Sequence, residues 1–425
     1  MIKQLGGKMI LVMLFCMTAA VADEVEPEFP LDQLSLDDMR TFTDVFNQVR
    51  INFVDETNDH DLMNAAIRGM LSELDPHSSY MEADEFRQLE NSSRGRYSGI
   101  GVEVLVRGKD INIVSVKEDG AADRAGIVAG DIITAIDGKD VRGKNLQAAI
   151  DSLRGEVGTE VEVTFQHENG EVSTHQMERG FFKVASVFSR PVDKDYGYFR
   201  ITHFTSNSAD ELLEQIQYMQ DNHEGPLKGF VLDLRNNPGG VLKPAITIAD
   251  GFLEDGLIVY TNGRSPNQME YSAKTGQWVE NMPLVVLVNR NSASASEVLA
   301  GALQDHGRAL IVGETTFGKG SVQSVLNLRN GGGMRLTTSR YYTPSGHAIQ
   351  ARGIQPDVVI PNIEVIEDNG EHRREADLDG HLSEEEDKTS VVFGSEVSAA
   401  DDYAMYQALI LLKGSNVLAP DAAQR

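Results

Sequence analysis

Between residues 283 and 312 an apolar, β-branched run (P-L-V-V-L-V), a polar turn, a helix-forming stretch at 294–306 and a second apolar run at 308–312 follow one another. That order is strand, turn, helix, strand, and it commits this part of the chain to a layered α/β architecture. The alternation extends over everything beyond residue 184. Strands are expected at 196–199, 229–234, 284–288, 309–312 and 335–342, and helices at 208–222, 240–252 and 294–306. Gly307 stands where a helix C-cap glycine belongs.

The same stretch carries the chemistry. Residues 292–297 read S-A-S-A-S-E at the helix start, where unpaired backbone N–H groups and the positive dipole end favour developing negative charge. Downstream, Lys319 lies between Gly318 and Gly320, residues that let backbone approach closely. An exposed lysine, with a pKa of roughly 10.4, is charged and useless as a base. Burial lowers that value and frees the amine to take a proton from a serine hydroxyl, provided no carboxylate sits beside it. Ser294 as nucleophile and Lys319 as base are therefore the candidate pair.

Plainer accounts compete with that pair. The three serines suit N-cap and small-residue packing positions. Residues 313–319 match the phosphate-loop spacing G-x-x-x-x-G-K, but Gly320 replaces the required Ser or Thr, and the strand-like run 322–328 replaces the required helix. A histidine triad would need His203 or His347, because His306 closes the nucleophile's own helix about 18 Å away. No G-x-S-x-G elbow is present.

A chain of 425 residues predicts two to three domains, and 41% hydrophobic content supplies sizeable cores. A net charge of −27 argues against nucleic acid and anionic membranes as partners. Residues 1–22 read as a cleaved export signal, with Lys3 and Lys8 ahead of an apolar stretch and A-V-A at 20–22. The single cysteine, Cys16, falls inside it, so the exported protein is expected to contain none, which suits a bacterial periplasm; an uncleaved anchor would make it membrane-associated. No metal constellation is evident, and cofactor independence is expected.

Further domains are legible before the α/β part. Met39, Phe42, Val45, Phe46, Val49 and Phe53 recur at helical spacing, and a second helical run covers 61–74. The L-D-P-H-S-S-Y turn at 74–80 follows, and His77 is assigned no chemistry. At 97–103 the sequence Y-S-G-I-G-V-E precedes a strand-like run at 111–116 and A-A-D-R-A-G-I-V-A-G-D-I-I-T-A-I-D-G at 121–138, which resembles a PDZ domain over residues 96–182. Ser98, Gly99, Ile100 and Gly101 would then offer backbone N–H groups to a chain-terminal carboxylate, and Ile100 and Val102 would line the pocket for the last side chain beside an open strand edge.

S-A-S-A-S-E, G-E-T-T-F-G-K-G-S-V-Q and D-L-R-N-N-P-G-G at 233–240 together resemble the carboxyl-terminal processing (tail-specific) protease family over most of the chain. The resemblance implies Ser294 as nucleophile, Lys319 as base and Gln323 as the lysine's support. It also implies an oxyanion hole, for which either Gly239 or Gly240 would join the N–H of Ala295. Arg154, at the end of the PDZ helix, is either a dipole-compensating surface residue or, by resemblance, the link from PDZ to protease.

The expected architecture is a multidomain α/β protein: a crotonase-like α/β protease core with an inserted PDZ domain and an N-terminal helical region. Its divisions are a signal peptide (1–22), the helical region (23–95), PDZ (96–182), the core (183–362), and an acidic segment with a terminal helix at 399–412 (363–425). The expected activity is that of a periplasmic serine endopeptidase acting on proteins with apolar C-termini. An adaptor or activator protein and self-association are further partners to consider. The alternative is a PDZ-based binding or chaperone protein with an inactive or adaptor-dependent core.

Overall fold

The structure is a computed structural model describing residues 35–143, 145–264, 268–279, 282–361, 363 and 397–418. The export signal at 1–22 and the acidic segment at 364–389 lie outside the described residues. Two units are distinguished, residues 1–66 and 67–425. The first holds α1 (Leu36–Asn52), capped by the Ser35 hydroxyl, and the first part of α2 (Asp59–Ser72).

The second unit opens with β1 (Ser79–Met81), α3 (Ala83–Ser93) and β2 (Arg96–Gly99). A β-rich domain follows: β3 (Val102–Arg107), β4 (Asp110–Val116), α4 (Ala121–Arg124), β5 (Ile132–Ile136), β6 (Lys139–Asp140), α5 (Leu146–Leu153), β7 (Glu160–Gln166) and β8 (Val172–Glu178). Its sheet runs β3-β4-β5-β7-β8, which leaves β3 at an edge. Its core packs Ile111, Ile133, Val163 and Phe165, each fully buried. Then β9 (Gly180–Lys183) returns to pair with β2, so entry to and exit from this domain form one ribbon.

The remaining elements are β10 (Val187–Val192), β11 (Tyr196–Ile201), α6 (Ser208–Asp221), β12 (Gly229–Asp233), α7 (Leu242–Phe252), β13 (Leu257–Gly263), β14 (Glu270–Ser272), β15 (Leu284–Val288), α8 (Ala295–Asp305), β16 (Leu310–Gly313), β17 (Ser321–Asn327), β18 (Gly333–Tyr342), β19 (Val358–Val359) and α9 (Tyr403–Leu418). The main sheet is ordered β10-β11-β12-β15-β16-β19, parallel except for β10. Burial on both faces explains the unbroken apolar runs. In β15, Leu284, Val286 and Val288 join the core that holds α6, α7 and α8, whereas Val285 and Leu287 face the cluster formed by α9. A second sheet holds β1, β18, β13 and β14, with β17 also paired to β18.

Helix α9 starts later and runs longer than the 399–412 expected. Asp402 sets its start, because its Oδ1 accepts from Met405 N and its carbonyl from Tyr406 N. Met405, Ala408, Leu409 and Leu412 are the buried stripe. The Arg235 guanidinium, at the end of β12, bridges Asp233 and Asp402 at 2.6–2.8 Å. Burial pushes the Asp402 carboxyl up, but hydrogen bonds from Arg235 outweigh it and hold the carboxyl below its usual range. Its contribution is therefore present above roughly pH 3.9 and lost as the pH falls into the acid range. Asp402→Ala is expected to cost about 2 kcal/mol in urea unfolding at pH 7, the loss of two charged hydrogen bonds, and to narrow against wild type in acid.

Candidate active site

The site is built where three chain reversals meet at the carboxyl ends of the parallel strands. After β15, Ser292 closes the turn by donating to Leu234 O (2.8 Å) and accepting from Asn289 N. Asn289 and Asn291 both donate to Asn236 Oδ1, which ties this turn to the one after β12. Asn237, fully buried, donates to Ile201 O and accepts through its carbonyl from Ala293 N and Ser296 Oγ. Ser292 and Ser296 are thus fully buried turn fasteners, and of the three serines only Ser294 is accessible.

Ser294 is the N-cap of α8 with φ 56° and ψ −112°, a region that non-glycine residues rarely occupy and that costs about 1–3 kcal/mol. Its position is held by Glu297, which is fully buried. The Glu297 Oε2 accepts from both Ser294 N and Lys319 N, each at 2.8 Å. Its Oε1 accepts from Thr316 Oγ1 (2.5 Å) and Gly318 N (2.6 Å). One carboxylate therefore joins the amides of the serine and the lysine, 25 positions apart in the chain. Sequence reasoning assigned Glu297 no role, although the S-x-x-E spacing is a capping-box signal.

The lysine loop lies against residues 349–353. A Cβ on Gly320 would stand 2.3 Å from Gln350 N, and one on Gly318, at φ 88°, would stand 3.1 Å from Arg352 N. Desolvation, and then the nearby Arg335 charge, hold the half-buried Lys319 amine below its usual pKa; among the described residues no carboxylate opposes them. Gln323 directs its amide nitrogen at Ser321 Oγ (2.8 Å) and Thr337 Oγ1 (3.4 Å) rather than at the lysine. Among the described residues, no hydrogen bond joins Ser294 Oγ to Lys319 Nζ.

Gly239 (φ 98°) abuts the serine: a Cβ there would lie 2.8 Å from Ser294 Cβ and 3.1 Å from Ala295 N. The Gly239 N–H donates to Asn237 Oδ1 at 2.9 Å. Phe204 pairs with Gly240, accepting from Val241 N and donating to Gly239 O, so Gly240 N–H points away from it. His306 Nε2 meets Leu257 O, His347 Nε2 meets Gly353 O, and His203 lies between Thr202 and Tyr97, so none of the three reaches Ser294.

The expected peptide-binding run is divided. Ser98 and Gly99 belong to β2, with Ser98 Oγ on Gly155 O, while Val102 begins the edge strand β3. Ile100 is 1% exposed and packs in the domain's core instead of lining an open pocket. Gly101 turns the chain at φ 87° beside Phe182. Arg154 caps α5, pairs with Asp151 at 3.7 Å, and lies 5.6 Å from the Tyr97 ring centre. Tyr97 OH is 3.4 Å from His203 Nε2, one residue from the strand pairing with Gly240.

Comparison with known proteins identifies the class. Peptidase family S41 matches residues 195–360, a PDZ domain matches 113–167, and the activating protease CtpB N-terminal domain matches 14–85. These define a serine protease of the S41 type that carries a PDZ domain. A carboxy-terminal-processing protease of Bartonella bacilliformis is 41% identical over 394 residues, 90% of each chain. The corresponding Picosynechococcus protease is 41% identical over 303 residues, covering 70% of this chain and 72% of that one. CtpA of Bacillus subtilis is 33% identical over 319 residues, 74% of this chain and 67% of that one. The chain belongs to the carboxy-terminal-processing protease family.

Proposed function

We propose that this protease is exported to the bacterial periplasm, captures the apolar C-terminus of a protein substrate in its PDZ domain, and cleaves with a Ser294–Lys319 dyad. One observation carries the catalytic part: of the serines in S-A-S-A-S, only Ser294 is accessible, and Glu297 ties its amide to that of Lys319. Lys319, whose ammonium form burial and Arg335 disfavour, takes the Ser294 proton through its neutral amine. Ser294 attacks the scissile carbonyl, and lysine-activated water then hydrolyses the acyl-enzyme. Gln323 supports the lysine. Ala295 N–H and Gly240 N–H hold the oxyanion, Gly239 being engaged by Asn237.

Peptide capture is supported by the open edge of β3, to which an extended chain can add as a strand. Arg154, Tyr97 and His203 then form a route from the end of α5 to the strand pairing at Gly240. A second reading, a resting form that needs an activating partner, draws on one feature: among the described residues no hydrogen bond joins the serine and lysine side chains.

The test is cleavage of an unstructured protein with an apolar C-terminus, beside a C-terminally amidated copy, by wild type and Ser294→Ala. Wild type is expected to cleave the free-ended substrate well, the amidated one poorly, and Ser294→Ala neither. Equal cleavage of both substrates would remove the PDZ reading. Cleavage by Ser294→Ala would remove the nucleophile. Binding of the free end without cleavage by wild type would favour a binding protein or a missing activator.

A further inference from the structure

The turn at residues 74–80, for which the sequence suggests no chemistry, reaches the strand pair that carries Gln323. The Asp75 carboxylate accepts four hydrogen bonds, from His77 N (2.8 Å), Ser78 N (3.0 Å), Ser78 Oγ (2.6 Å) and Thr337 Oγ1 (3.1 Å). Ser78 Oγ also accepts from Thr337 N. Thr337 lies directly opposite Gln323 across β17 and β18, and its hydroxyl is within 3.4 Å of the Gln323 amide nitrogen.

The polarity of this chain of bonds is determined at its Asp75 end. An ionised carboxylate only accepts, so the single hydroxyl proton of Thr337 must go to Asp75. Thr337 then has only lone pairs for Gln323, which must present its NH₂ to Thr337 and Ser321. The Gln323 carbonyl oxygen is thereby turned away from both hydroxyls. Burial pushes the Asp75 carboxyl up, but its hydrogen bonds from Ser78, His77 and Thr337 outweigh that and keep it below the usual carboxylate range.

We infer that Asp75 is a positioning residue for the reaction: by taking the Thr337 proton it sets the Gln323 amide so that Oε1 is the acceptor left for the Lys319 amine. Lys319 precedes the first residue of β17 by two positions, and Gln323 lies four positions beyond the lysine. Without Asp75 or the Thr337 hydroxyl the amide is free to turn its donors toward the lysine, where they repel an ammonium and, with a neutral amine, donate to the lone pair that must take the serine proton. The inference rests on the proposed support of Lys319 by Gln323.

The experiment measures kcat and KM of the full chain on the free-ended unstructured substrate, with thermal melting alongside. The variants are Asp75→Ala, Thr337→Val, Thr337→Ser and Gln323→Ala, and the first two also in the Gln323→Ala background. Asp75→Ala and Thr337→Val are each expected to lower kcat about tenfold with KM unchanged, a coupling within the range of shared hydrogen-bond networks. Both should be silent once Gln323 is alanine, and Thr337→Ser should recover most of the turnover lost in Thr337→Val. Lowered melting temperatures with intact kcat, or losses that add to that of Gln323→Ala, would overturn the role of Asp75. If Asp75→Ala does not fold, Thr337→Val and its serine rescue decide alone. Full kcat in Gln323→Ala would overturn the support role of Gln323 itself, an outcome distinct from failure of Asp75 alone.

Discussion

Lys319→Ala is expected to lower kcat/KM by about 10²–10⁴-fold, the usual share of a positioned general base, without unfolding the protein. The side chain is half-buried and offers its amine rather than structural bonds; the loop itself is held through the Lys319 N–H, which alanine retains. The pH dependence carries more information than the loss. Desolvation and Arg335 both disfavour the ammonium, so the neutral, active form persists to lower pH than for an ordinary lysine. Wild-type kcat/KM should therefore rise along a limb whose midpoint lies below the usual lysine value. Arg335→Met removes the second cause: the Lys319 pKa rises, the limb moves toward alkaline pH, and activity near neutrality falls. A limb that keeps its position in Arg335→Met would separate the rising limb from Lys319.

The inner strands of the main sheet, β11, β12, β15 and β16, were legible because they are largely buried on both faces, and an apolar run such as L-V-V-L-V admits few other readings; the exposed edge strands β10 and β19 were not foreseen. The glycines around Lys319 were legible for a related reason, since only a missing side chain permits that approach to residues 349–353. What stayed hidden depends on hydrogen bonds between residues far apart in sequence. Asp402 to Arg235 and Asp75 to Thr337 leave no periodicity, and polar residues in turns read as ordinary turn formers. The three serines at 292, 294 and 296 look alike as residues, and burial separates them. Ile100 is ambiguous in the opposite way: an apolar residue beside a binding loop suits a pocket wall or a core position alike, and in the structure it packs in the domain's core. The positive φ of Ser294 has no sequence signal at all, because serine is not a residue that favours it.

Glu297→Ala is expected to damage both stability and turnover. Four donors lose their acceptor in a fully buried place, and each unsatisfied buried group costs about 1–3 kcal/mol. Even with partial relaxation, the sum consumes much of a typical stability of about 5–15 kcal/mol, so a steep fall in melting temperature should accompany the loss of activity. Glu297→Gln separates the two effects. A glutamine keeps one acceptor oxygen, and its NH₂ faces either the Ser294 and Lys319 amides or the Thr316 and Gly318 donors. Either orientation sets donors against donors and moves the lysine loop, because Gly318 and Lys319 are adjacent. A displacement of about 1 Å at such a site costs roughly 100-fold in rate, so kcat should fall by about that factor with a smaller loss in melting temperature. Affinity for a peptide with a free apolar C-terminus, measured by fluorescence anisotropy, should not change, since the edge strand β3 lies in another domain. Wild-type turnover in Glu297→Gln would mean that the serine and lysine hold their places without the shared carboxylate.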